Sequence, residues 1–174
     1  MSDYISKKKK NISLIGLMGS GKSIIGKQLA YELDLKFYDS DIEIERITGK
    51  SINSIFEEDG EPFFRKIESK ITLELLNKKN CVISLGGGTI LDKKVREKIN
   101  SDSYCIYLKV RVDELINRLR NSTKRPLLKK VDIESKINNL YKSRKTYYNK
   151  ANLIIENNGN KNETLKIIKN NINI

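Results

Sequence analysis

None of the 174 residues is a histidine, and that one absence removes several chemistries at once. Ser-His and Cys-His nucleophilic catalysis both need an imidazole, so any general base here is Asp, Glu, Lys or Tyr. Cysteine is nearly absent too: Cys81 and Cys105 stand alone, and two sulfurs without an imidazole are too few soft ligands for zinc. Each lies in a β-branched, apolar run, so both read as buried thiols suited to a reducing cytoplasm. Long hydrophobic runs are missing. No segment approaches the apolar length of a transmembrane helix. The lysine run Lys7 to Lys10 is followed by a strand-like segment, with no apolar stretch of the signal-peptide kind behind it. No membrane association is expected. The chain carries neither an internal repeat nor a low-complexity linker.

Charge of one sign dominates: 34 Lys and Arg against 22 Asp and Glu give +12. Clustered cations would point to a polyanion such as nucleic acid. Here the lysines are spread over most segments among many Asn and Ile, and no aromatic residues are interleaved on a basic face, so the charge reads as a solvated surface without a nucleic-acid partner. With 38% hydrophobic residues and this length, one folded domain with one site is expected over residues 1–174, working as a monomer.

Four β-type runs recur with helical stretches between them: "NISLIGL" from Asn11, "CVISLG" from Cys81, "YCIYLKV" from Tyr104 and "NLIIE" from Asn152. A weaker fifth, "KFYD", ends at Asp39. Runs apolar on both faces suit a parallel sheet covered by helices on each side, so the fold class is α/β. Helical spacing is clear in Ile25, Leu29 and Leu33, and again in Phe64, Ile67, Ile71 and Leu75 behind Pro62. Two further helices are read in "RVDELINRLR" and "DIESKINNLYKSRKTYYNK". Residues 42–60 and 122–131 interrupt the alternation and read as excursions over a ligand at the carboxyl ends of the strands. The Asn-rich "ENNGNKN" reads as a surface turn.

Gly16, Gly21, Lys22 and Ser23 satisfy G-x-x-x-x-G-K-[ST] directly after a strand and before a helix, the setting a phosphate loop requires. Gly19, Ser20 and Gly21 would turn backbone N–H groups toward phosphates, Lys22 would reach the β- and γ-phosphates, and Ser23 would offer a hydroxyl to Mg²⁺. The next strand ends in "DSD". If extended, it directs Asp39 and Asp41 to one side, one holding magnesium and the other accepting a hydroxyl proton. "LGGGT" then places Gly86, Gly87 and Gly88 where backbone approaches a ligand closely and N–H groups donate to it.

In this order the strings "GLMGSGKS", "FYDSD", "ITGKSINSIFEEDGEPFFRKIE", "SLGGGT", "RPLL" and "LYKSRKTYY" resemble the shikimate kinases over nearly the whole chain. The resemblance implies a P-loop NTPase-type three-layer sandwich. Its five-stranded parallel sheet would run in the order 2-3-1-4-5, with a substrate-binding region at about 40–68 and a lid at about 122–131. It implies ATP with Mg²⁺ and shikimate as ligands. Asp41 would be the base and touch the ring hydroxyls; Ser23 and Asp39 would organise the metal. Arg65, oriented by Glu68, and Arg144 would clamp the substrate carboxylate, and Gly86 to Gly88 would touch the ring. Arg125 would meet the transferring phosphate and Arg118 the adenine. The sequence departs from the family pattern at Ile24, which stands in place of a second hydroxyl beside the nucleotide. It departs again after the last strand, where no Arg occurs and only Asn160 or Lys161 is nearby. Tyr147 and Tyr148 are read as helix packing.

The implied reaction moves a phosphoryl group from ATP to the shikimate 3-hydroxyl. The rivals are a kinase for gluconate or a nucleoside monophosphate, a basic nucleic-acid-binding protein with a vestigial nucleotide site, and a catalytically silent homologue.

Overall fold

The computed structural model of the chain describes residues 11–119 and 132–172. β1 (Asn11–Ile15) leads through the loop at 16–21 into α1 (Lys22–Glu32). β2 (Lys36–Asp39) is followed by α2 (Ser40–Thr48), α3 (Ile52–Glu58) and α4 (Gly60–Leu76). After β3 (Cys81–Ser84) come a 3₁₀ turn (Thr89–Leu91) and α5 (Lys93–Asp102). β4 (Ser103–Lys109), α6 (Val112–Leu119), α7 (Ile133–Tyr148), β5 (Leu153–Glu156) and α8 (Lys161–Asn171) complete the order.

All strand pairs are parallel, and the sheet order is β2-β3-β1-β4-β5, as the resemblance implied. β1 is central, with Ser13 opposite Ile83 on one side and Cys105 on the other. The chain leaves β1 where the sheet's connections diverge to left and right, and such switch points open a crevice beyond the carboxyl ends of the strands. The phosphate-loop pattern lies in that crevice.

Strand periodicity builds two cores. Ile12, Leu14, Val82, Ile106 and Leu108 face one side and pack with Ile25 and Leu29 of α1 and Leu165 and Ile168 of α8. Their neighbours Ile15, Cys81, Ile83, Cys105 and Tyr107 face the other and pack with α4, α5, α6 and α7 through Ile71, Leu75, Val95, Ile99, Leu115 and Ile137. Successive residues of a strand thus enter opposite cores, which is why the central runs are apolar throughout rather than alternating. Each fully buried Ile or Leu contributes about 1.5–3 kcal/mol. Cys81 and Cys105 are both buried thiols, and burial pushes the Cys81 thiol up to about 11.

The excursion read at 42–60 consists of helices. α2 closes on Gly49, whose φ of 67° gives the left-handed C-cap, and α3 starts from Ser51, whose side chain accepts from Ser54 N–H. α5 and α8 are elements the sequence reading did not assign. Both begin at side-chain caps, Asp92 and Asn160. Among the described residues no helix is long and apolar enough to cross a membrane.

Candidate active site

The loop after β1 turns on glycines. Gly19 and Gly21 have φ of 79° and 88°, a region L-residues rarely occupy, and Gly21 serves as the N-cap of α1. That helix has no side-chain cap bond and no acidic residue in its first turn, so the protein leaves the positive end of its dipole uncompensated. An anion suits that position. Lys22 folds back over the loop, its ammonium donating to Gly16 O at 2.9 Å and Leu17 O at 3.1 Å. Ser20 is buried, whereas the Ile24 side chain faces solvent at 65% exposure.

The geometry around "DSD" differs from the extended segment expected. β2 ends at Asp39 and α2 begins at Ser40, because Asp39 caps that helix: its Oδ1 accepts from Asp41 N–H at 3.0 Å. The two carboxylates consequently diverge. Asp39 turns its other oxygen to the phosphate-loop helix and accepts from the Ser23 hydroxyl at 2.5 Å. Asp41 turns to the triple glycine, its Oδ1 lying 3.1 Å from the point a Cβ on Gly86 would occupy.

None of Gly86, Gly87 and Gly88 has a positive φ. Space around them is tight: charged side-chain ends stand against Gly86 and Gly88, and the Gly16 carbonyl against Gly87. A Cβ on Gly86 would strike Glu68 Oε1. On Gly87 it would meet Gly16 O at 3.3 Å and Arg144 Nη1 at 3.4 Å; on Gly88 it would overlap the Arg65 guanidinium, with Cζ at 2.6 Å. The expected role of these N–H groups as ligand donors is corrected at Gly86, whose N–H is taken by the buried Ser40 hydroxyl at 2.8 Å.

Arg65 and Arg144 arrive from different helices. Arg65, one turn into α4, donates through Nη1 to Glu68 Oε2 at 2.6 Å and through Nη2 and Nε to Glu61 Oε1 at 2.9 and 3.2 Å. Burial is the largest influence on Arg65 and lowers its pKa, yet the charge and bonds of Glu68 and Glu61 leave it above its ordinary value. Burial likewise dominates Glu68, raising it above the usual carboxylate range despite Arg65, with Asp41 adding repulsion. Arg144 on α7 is 3% exposed, and its Nε is a buried donor without a hydrogen-bond partner among the described residues. Beside Arg65 opens a cleft of about 610 Å³ lined by Glu61, Glu68, Ser69, Gly88 and Asp92 among others. Asp41 and Arg144 do not line it, so it extends the site rather than containing it.

Two contacts of the site were not read from the sequence. Tyr148 packs as expected, stacked on Tyr107 at 4.9 Å, and in addition donates its hydroxyl to Gly87 O at 2.6 Å. Tyr147 does pack, with Arg96 over its ring at 4.3 Å. In the Asn-rich turn, Asn157 is buried at 6% exposure rather than on the surface, because its amide donates to Ser20 O at 2.8 Å. Arg118 lies beside it, donating to Gly19 O and Asn157 O at 3.2 and 3.1 Å and to Glu114 at 2.8 Å. A buried Asn is invisible to periodicity, and a Tyr one turn after an Arg looks like any helix face. Arg125 and the segment 122–131 lie outside the described residues.

A parallel sheet ordered 2-3-1-4-5, with a phosphate loop leaving its central strand and an arginine-and-carboxylate cluster facing that loop across a glycine turn, defines a P-loop kinase. The shikimate kinase profile matches residues 18–173. The chain is 46% identical to the shikimate kinase of Rippkaea orientalis over 87% of its own length and 80% of that protein. To that of Buchnera aphidicola it is 48% identical, over 69% of each. The solved structure of shikimate kinase from Acinetobacter baumannii in complex with shikimate superposes with a TM-score of 0.91 at 35% identity, covering 99% of this chain and 98% of that one. The chain belongs to the shikimate kinase family, a family of phosphotransferases, as its sequence motifs implied.

Proposed function

We propose that this chain transfers the γ-phosphoryl group of ATP to the 3-hydroxyl of shikimate, giving 3-phosphoshikimate and ADP. The observation that carries this reading is the position of Gly87. One small residue separates the phosphate-loop carbonyl of Gly16, 3.3 Å from its would-be Cβ, from the buried guanidinium of Arg144 at 3.4 Å. An acceptor whose carboxylate is held by Arg144 and Arg65 then has its ring beside the glycine turn and a hydroxyl aimed at the end of the nucleotide. Guanidinium forks match a carboxylate bidentately. The Arg144 Nε, without a partner among the described residues, is a buried donor of the kind such an anion satisfies.

In this scheme Asp41 accepts the proton from the attacking hydroxyl as the new O–P bond forms and the bond to ADP breaks. Lys22, and Arg125 from the family resemblance, neutralise charge on the transferring group. Gly19, Gly21, Ser20 and the backbone at Ile24 cradle the phosphates, and Arg118 borders the nucleotide. Ser23 Oγ and Asp39, already bonded to each other, offer the hard oxygen donors that Mg²⁺ accepts, and one carboxylate suffices because this ion is completed by water and substrate phosphates. When bound, Mg²⁺ would supply positive charge against the charge that develops on the transferring phosphoryl group, and Ser23 and Asp39 would hold it. We further propose one kinase domain over 1–174, with its acceptor region at about 40–68, in a reducing cytoplasm that suits the two buried thiols.

The test is ADP release from ATP and Mg²⁺ with and without shikimate, with gluconate and nucleoside monophosphates as competitors. Shikimate-dependent release that the competitors leave unchanged is expected. Release that ignores shikimate, or that gluconate or a nucleotide stimulates instead, overturns the assignment.

A further inference from the structure

We infer that Asn157 is a positioning residue for the nucleotide, aiming a backbone donor of the phosphate loop from outside the loop. The inference rests on the ATP-binding role proposed above. Each polar group of Asn157 has a partner. Nδ2 donates to Ser20 O at 2.8 Å, and a carbonyl can only accept, which decides which end of the amide faces the loop. Oδ1 accepts from the Thr164 hydroxyl in α8 at 2.9 Å. The backbone N–H donates to Lys109 O at the end of β4, 2.7 Å away, and the carbonyl accepts from Arg118 at 3.1 Å.

Ser20 lies between Gly19 and Gly21, two loop residues whose positive φ makes the local backbone least able to hold its own shape. In a trans peptide the C=O of one residue and the N–H of the next point in opposite directions. Fixing Ser20 O against Asn157 therefore turns the Gly21 N–H away from Asn157, the direction in which the loop would meet a phosphate oxygen. Gly21 also has to be glycine for this contact, since a Cβ there would come within 2.8 Å of Nδ2. The Thr164 hydroxyl meets Asn157 Oδ1 and Asn160 O rather than the loop, so it acts on the loop through Asn157.

The experiment measures ADP affinity and the KM for ATP and for shikimate in the wild type, Asn157→Ala, Thr164→Val and the double variant. Asn157→Ala should weaken ADP binding and raise KM for ATP about tenfold, the scale of one buried hydrogen bond, with KM for shikimate within about twofold. Thr164→Val should move the same two quantities about threefold while leaving the Asn157 side chain in place, which keeps the test open if truncating Asn157 loosens the turn. The double variant should match Asn157→Ala alone, because both changes act through one contact. Unchanged ADP affinity, equal shifts in both KM values, or additive effects would overturn the inference. A wild type that binds ADP but shows no shikimate-dependent release refutes the acceptor and leaves the nucleotide brace to be judged by ADP affinity. A wild type that binds no ADP refutes both.

Discussion

The Tyr148 hydroxyl donates to the carbonyl of Gly87 at 2.6 Å, so the last turn of α7 holds the middle of the triple-glycine turn in the same helix that presents Arg144. Burial pushes the Tyr148 phenol up to about 12, with Arg144 partly opposing, so the group is a neutral donor throughout the working range. Tyr148→Phe keeps the stack on Tyr107 and strands a buried carbonyl, and should cost about 1–3 kcal/mol in urea denaturation. The raised value also has a sign. The folded state keeps this proton where the unfolded state has released it, so stability falls as pH rises from 10.0 towards about 12. That share of the alkaline loss should be missing in Tyr148→Phe; identical slopes would contradict it.

Gly88→Ala sets a methyl against the Arg65 guanidinium. The helix must release Arg65 from Glu68 or the turn must move. On the proposed assignment KM for shikimate rises about tenfold or more while KM for ATP stays within about twofold. A variant with both constants unchanged would show that Arg65 does not hold the acceptor.

Glu68 is held above the ordinary carboxylate range by burial, against the pull of Arg65. The native state binds this proton more tightly than the unfolded state, so stability should decline as pH rises through the window just above 4.5. Glu68→Gln should flatten that part of the profile and raise KM for shikimate, because Arg65 loses a charged anchor. A pH profile unaltered by the substitution would remove Glu68 as its origin.

Asp92 shows the opposite sign. The Ser69 hydroxyl at 2.6 Å leads the causes that hold it below its ordinary value, and its carboxylate also caps α5 through Lys94 and Val95 N–H. Its contribution is complete above the unfolded value of 3.8 and is lost as pH falls through the lower folded value. Asp92→Ala should cost about 1 kcal/mol at neutral pH and lessen the acid-side loss. Thermal melts from pH 2 to 7 are the check.

Lys22→Ala and Asp41→Asn should each lower kcat on the order of 10²-fold or more under saturating substrates. Single-turnover measurements separate this from slowed product release. Near-normal turnover in Asp41→Asn would leave proton acceptance to another group.

The phosphate loop was readable in the sequence because its signal is local: four residue types at set spacing, between an apolar run and a helix. The strands were readable for the same reason, and the five observed strands fall where the β-type runs stood. The helices at 93–102 and 161–171 were not assigned, since few apolar residues mark them and their side-chain caps do much of the defining. The extended reading of Asp39 and Asp41 gave way to a capped helix because one carboxylate satisfies an N–H that would otherwise lack a partner.

By itself, then, the sequence determined the strands, the phosphate loop after the first of them and the residue types available for chemistry, which follow from local patterns, while the strand order came only through the family resemblance. Only the tertiary structure decided which of those residues meet. Ser20 and Asn157 are 137 positions apart and Gly87 and Tyr148 are 61 apart. Nothing in either local segment favours such a contact. It arises when parallel strands carry the carboxyl ends of distant loops to one edge of the sheet, and there each buried polar group must take the partner that packing brings within reach.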